Sequence, residues 1–165
     1  MQERYDFDEV AVLSAVAVGS PGKRTFFLAV GGQSDWVRVW LEKQELQALA
    51  AAIRQLLSAI SEGRVRAKAR AGESPEEGPS GFPAAELEID EISLGYDKER
   101  ATLECVVHPV GPKRENSAAL KCSVTLAQLK RFGRQAEKVC AAGRPICALC
   151  GGPIDPTGHF CPASN

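Results

Sequence analysis

The chain has 165 residues, 44% apolar and 25% charged, with a formal net charge of −1. That is the size and balance of one soluble globular domain or two very small ones, and the charge excludes general electrostatic attraction to nucleic acid or an anionic membrane. No apolar run approaches the roughly 18 residues of a membrane span, and the start Met1-Gln2-Glu3-Arg4-Tyr5-Asp6 lacks the basic and apolar regions of a signal peptide, so a cytoplasmic location is expected.

The apolar, β-rich segment Val10–Val18 predicts a first strand, ended by the turn Gly19-Ser20-Pro21-Gly22. Arg24–Val30 predicts a second strand. After the turn Gly31–Asp35, Trp36–Leu41 predicts a third. The hydrophobic period then changes from two to 3.6: Leu46, Leu49, Ile53, Leu56, Leu57 and Ile60 share one face of a helix that runs to about Ser61, with Gly63 as its stop. The acids of Glu42-Lys43-Gln44-Glu45 suit the positive end of that helix.

The same order returns from Glu86. Leu87–Leu94 alternates, Gly95-Tyr96-Asp97-Lys98 predicts a turn, and Ala101–Val107 a strand. A loop Pro109–Asn116 leads to a third strand over Ala119–Val124. Thr125 with Gln128 three residues on reads as a capping box, opening a helix whose apolar stripe is Leu129, Phe132, Ala136, Val139 and Cys140, with Gly143 as its end. Gly19 aligns with Gly95 and Leu46 with Leu129, which suggests an internal duplication.

The expected fold is therefore α+β. Two pseudo-symmetric β-β-β-α repeats, over 1–61 and 84–143, pack as one domain, because a three-stranded sheet with one helix is marginal alone. They would either pair their sheets or share one six-stranded antiparallel sheet with both helices on one face. Residues 62–83 read as a mobile linker, with Arg64, Arg66, Lys68 and Arg70 followed by Glu73, Glu76 and Glu77 among prolines.

Residues 144–165 form a distinct tail in which Cys147, Cys150, His159 and Cys161 stand as Cys-x-x-Cys and His-x-Cys pairs. Gly151 supplies the positive φ that a Cys-x-x-Cys-Gly turn needs, and Asp155-Pro156-Thr157-Gly158 turns the chain back. Three thiolates and an imidazole make a closed tetrahedral set, so one structural zinc is expected. The competing readings are a redox Cys-x-x-Cys, which should open a helix rather than precede Gly151-Gly152-Pro153, and a chance cluster. Cys105 and Cys122 alternate with core residues and read as small buried side chains; His108 reads as a surface histidine.

Trp36, Arg38 and Trp40 project to one side of the third strand, with Phe27 beside them. They form a candidate binding surface, although packing against the second half or a dimer partner is the commoner fate of such a stripe.

Gly19–Leu28, Leu41-Glu42-Lys43-Gln44, Ser93–Asp97, Ala142-Gly143-Arg144-Pro145 and the ending Cys161–Asn165, taken in order, resemble an uncharacterised bacterial family of repeat proteins, mainly actinobacterial and chloroflexi-type, that carries a domain of unknown function. One departure is Ala148, where such members often have proline. The resemblance implies the repeat architecture and the Cys/His tail, and no activity.

No phosphate loop, nucleophile elbow or suggestive carboxylate pair occurs in the sequence. The expected function is thus a zinc-stabilised, non-enzymatic binding or adaptor protein with a protein partner, or a homodimer. An RNA-binding knuckle factor using Arg131, Arg134, Lys138 and Arg144 is one alternative. An enzyme with a site in the groove between the repeats is the other.

Overall fold

The computed structural model describes residues 4–20, 22–62, 78–111, 119–142, 147–152, 154 and 158–164. Most of the expected linker, most of the Pro109–Asn116 loop, the helix stops Gly63 and Gly143, Arg144 and the turn residues Asp155–Thr157 lie outside the described residues.

Strands form where β-branched and aromatic residues alternate: β1 (Tyr5–Phe7), β2 (Val12–Val18), β3 (Thr25–Gly31) and β4 (Trp36–Leu41), then β5 (Ala85–Asp97), β6 (Thr102–Pro109) and β7 (Leu120–Thr125). Helix α1 (Lys43–Glu62) follows β4, and helix α2 (Leu126–Ala141) follows β7. All seven strands join one mixed sheet in the order β1-β7-β6-β5-β4-β3-β2. The six-stranded antiparallel alternative is corrected in two respects. A short first strand is added, and β4·β5 and β1·β7 are parallel. The β4–β5 parallel pair has a simple cause: α1 carries the chain back across the sheet, so β5 starts at the same end as β4.

Strand β5 is longer than its sequence pattern indicates. Ala85–Glu88 pairs with β4, an irregularity falls between Ile89 and Glu91, and the rest pairs antiparallel with β6 through Asp97. Gly95 therefore lies inside a strand opposite Glu104 and does not occupy the place of Gly19, which opens the β2–β3 turn. The β5–β6 turn comes later, where the Asp97 carboxylate accepts from the amides of Glu99 and Arg100 and Ala101 takes a positive φ of 53°. That local side-chain turn needs no glycine.

The sheet must curl. Its outermost strands, β1 and β2, are joined by only five Cα steps from Phe7 to Val12, a reach of at most about 19 Å, whereas six flat inter-strand spacings span about 29 Å. The curl brings the Phe7 ring against Gly31 of β3. It also sets α2 against the open edge of β2, where the Gln135 side chain accepts from the Ala15 amide at 2.9 Å and the Gln128 side chain donates to the Val10 carbonyl at 2.7 Å. An edge covered in this way cannot template another strand.

Both helices cover the concave face. Leu13, Phe26, Leu28, Val37 and Val39 from one half and Leu103, Val107, Leu120, Cys122 and Val124 from the other join Leu46, Ile53, Leu129 and Phe132 in a single core. The helices meet where Gly133 faces Ile53. A Cβ added at 133 would lie 3.1 Å from the isoleucine Cγ2, so any side chain there would press on Ile53 by a few tenths of an ångström.

The helix starts match their sequence signals. The Thr125 hydroxyl accepts from the Gln128 amide at 3.1 Å while the Gln128 side chain accepts from the Thr125 amide at 3.0 Å. At α1, the Glu45 carboxylate reaches back to the Glu42 amide at 2.6 Å. Thr125→Ala should cost about 1 kcal/mol and lower the melting temperature by roughly 2–4 °C, while Thr125→Ser should leave it nearly unchanged; thermal denaturation of both variants checks this.

Candidate metal centre

Three of the six cysteines belong to the protein body. Cys122 and Cys140 are buried, while Cys105 packs half-buried opposite Cys122 across β6 and β7. The hydrogen bond with Cys105, followed by burial, pushes the Cys122 thiol far up, and burial also raises Cys140 against the opposing charge of Lys43. Such thiols are inert packing groups. All six cysteines are free.

The other three converge with a histidine. One ligand atom from each of Cys147, Cys150, His159 and Cys161 lies within 4.8 Å of every other. The structure thus brings together all four residues proposed as ligands from their spacing, close enough to hold a metal ion. Local backbone chemistry explains how. The chain turns back at Cys147-Ala148-Leu149-Cys150, with the Gly151 amide donating to the Cys147 carbonyl at 2.9 Å and the Cys147 amide to the Gly152 carbonyl at 2.8 Å. Gly151 sits at φ +71°, a left-handed conformation that disfavours a side chain. The Gly152 amide points at Cys150 Sγ from 3.4 Å. A Cβ at 152 would stand 3.3 Å from that sulfur and 3.7 Å from the His159 ring, so this glycine keeps space beside two ligands. On the other arm, the Ser164 amide and hydroxyl both bond the Cys161 carbonyl, fixing the turn after the last ligand.

Two of the spacings are close to those around a tetrahedral ion. Cys147 Sγ and Cys161 Sγ are 3.8 Å apart, and Cys150 Sγ is 3.2 Å from His159 Nε2. Around zinc, bonds of about 2.3 Å to sulfur and 2.0 Å to nitrogen place two sulfurs about 3.8 Å apart and a sulfur and a nitrogen about 3.5 Å apart. Nε2 is the His159 nitrogen that faces the cluster.

Electrostatics favour a cation as well. Backbone amides of Cys150 and Leu149 aimed at Cys147 bring its thiol down to about 6. Cys150 moves the other way: the Gly152 amide favours its thiolate, but burial and the neighbouring sulfurs of Cys147 and Cys161 outweigh it and raise the thiol. Alone, the cluster concentrates negative charge on one sulfur at the expense of the next. A divalent ion relieves that competition.

Phe27, Trp36, Arg38 and Trp40 also lie together, on the convex side of β3 and β4, where Phe27 pairs with Trp40. Phe27 and Trp36 are buried, while Arg38 and Trp40 are half-buried. The Arg38 guanidinium lies 4.8 Å from the Phe27 ring centre, 5.5 Å from that of Trp36 and 5.3 Å from that of Trp40, and it pairs with Glu86 at 2.6 Å. The Trp36 indole donates to the Ser80 carbonyl at 3.3 Å. Much of this group's binding capacity is thus satisfied internally. His108 is half-buried in β6, opposite Glu91.

Arg131, Arg134 and Lys138, cations of the alternative nucleic-acid reading, line a basic cleft beside α2 together with Lys130. The four-residue spacing of Lys130, Arg134 and Lys138 is legible in the sequence, but the second wall, from β2, is not. Among the described residues no helix is long and apolar enough to cross a membrane.

No curated protein and no solved structure matches the chain. A family model does match, over residues 5–161, a span that runs from the first residue of β1 to the last metal-site cysteine. The chain belongs to the family described as Protein of unknown function (DUF3090).

Proposed function

We propose that this is a zinc-stabilised, non-enzymatic binding protein whose C-terminal knuckle holds one structural zinc. The observation that supports the reading is the donor set: three thiols and one imidazole within 4.8 Å of one another would close a tetrahedron around one ion and leave no position for a substrate water. Thiolate ligation suits a reducing compartment such as the cytoplasm. Elemental analysis of protein purified without added metal should give one zinc per chain; a chain that carries no stoichiometric metal sinks the proposal.

A protein partner or a second copy is favoured by the convex face. Over β6 and β7 that face is polar, with Lys121 paired to Glu104 at 2.6 Å. Over β2, β3 and β4 it is apolar at the surface, with half-buried Val16 and Trp40 lying over buried Phe27 and Trp36, and Val18 is 52% exposed. An apolar face on one half of a sheet suits docking. Native mass spectrometry reports the oligomeric state and any retained partner.

We also propose that the halves are a duplicated β-β-β-α unit. In support, β2-β3-β4 and β5-β6-β7 are antiparallel meanders, each followed by a helix, and a short stretch at the start of each half lies parallel to the last strand of the other: β1 on β7, and Ala85–Glu88 on β4. A nucleic-acid partner is the second reading, favoured by the cations of α2.

A further inference from the structure

Along α2, Lys130, Arg134 and Lys138 recur every four residues, so a rise of 1.5 Å per residue places them in a row with steps of about 6 Å. With Arg131 they line a cleft of about 520 Å³ between the helix and the edge of β2, to which Ser14, Ala127 and Gln135 also contribute. No carboxylate lines the cleft. Nor does an ion pair engage Lys130, Arg134 or Lys138 among the described residues, whereas neighbouring Arg54 of α1 is neutralised by Glu137 at 2.6 Å. Like charges four residues apart on a helix repel. In a chain of net charge −1, four cations around one concavity are a local arrangement and not a reflection of basic composition.

We propose that this cleft binds a linear oligophosphate, the chemistry shared by inorganic polyphosphate and the phosphate tail of a nucleotide. Its volume is that of a small-ligand site. Arginine forks and lysine point charges in a row match successive phosphates. The lining holds no aromatic side chain. Sites for single-stranded nucleic acid pair their cations with rings on which bases stack, so this lining recognises phosphate and not base. The inference goes beyond the adaptor reading and needs neither the metal nor a protein partner.

Isothermal titration of the full chain with inorganic tripolyphosphate, ATP and a single-stranded oligouridylate tests it at low and raised salt. Tripolyphosphate should bind, and more weakly as salt rises. The double variant Lys130→Gln/Arg134→Gln should weaken it about tenfold or more, and Lys138→Gln alone by a smaller factor, with circular dichroism confirming that each is folded. Lys98→Gln, on the exposed β5–β6 turn, should change nothing. Equal binding of ATP and tripolyphosphate identifies the phosphate chain as the whole determinant; much tighter ATP identifies a nucleotide as the source. The proposal is overturned by no tripolyphosphate binding at low salt. Unchanged binding in both variants overturns it too, as does an oligouridylate bound through these residues when the small phosphates are not. Tripolyphosphate binding that survives removal of the metal separates this site from the knuckle.

Discussion

Replacing Cys150 with serine should release the metal and unfold the tail while leaving the seven-stranded body intact. The tail has no core to fall back on: none of its described residues is buried, and Leu149 and Phe160 are 69% and 79% exposed. Structural zinc supplies apparent folding free energy of about 10–16 kcal/mol in peptides of this kind, far more than a few turn hydrogen bonds contribute. Hydrogen exchange over residues 147–164 should become fast in Cys150→Ser or after chelation, while amides of β3 and β6 stay protected. Exchange that remains slow in the tail without metal would contradict the proposed role. Acid acts in the same direction, because protons compete with metal for sulfur. The Cys150 thiol is raised, so at neutral pH it must lose a proton on loading, and affinity falls about tenfold per pH unit for each such proton. Cys147, brought down to about 6, is already mostly thiolate at pH 7; below pH 6 it adds a further proton and the loss steepens. Competition with a zinc-binding dye between pH 8 and 5 measures the slope.

Gly31→Ala should be strongly damaging to the body, at about 2–5 kcal/mol from backbone strain and overpacking combined. Gly31 sits at φ +143°, and a Cβ there would lie 2.7 Å from the Asp35 carbonyl oxygen, 2.8 Å from Trp36 Cα and 2.9 Å from the Phe7 ring. Two of these neighbours are backbone, where β4 begins, and cannot swing aside. The third is the contact by which β1 docks across the curl of the sheet, so relief at Gly31 would come from displacing β1. A melting temperature lower by roughly 5–15 °C is expected. Gly95→Ala is the control: nothing lies within 4 Å of its Cβ position and its φ is ordinary strand, so stability should stay within about 0.5 kcal/mol of the parent. Equal losses in the two variants would mean that the curl does not depend on the glycine.

Short-range chemistry alone determined much of this protein. The alternation of Trp36–Leu41, the stripe Leu46 to Ile60, the Thr125–Gln128 box and the four knuckle ligands all act over one to fifteen residues, where spacing fixes geometry. The structure also shows where such reasoning fails. Gly95 has the composition of a turn, yet Asp97 turns the chain two residues later with its own carboxylate. Tyr5–Phe7 is too short to announce itself and becomes a strand only because β7 presents a free edge. Whether β5 would lie parallel to β4, how far the sheet curls, what a side chain at Gly133 or Gly31 would meet, and which strand walls the basic cleft of α2 were decided by tertiary packing. Those features join residues tens to more than a hundred positions apart, and no local periodicity encodes which surfaces must meet to bury one continuous core.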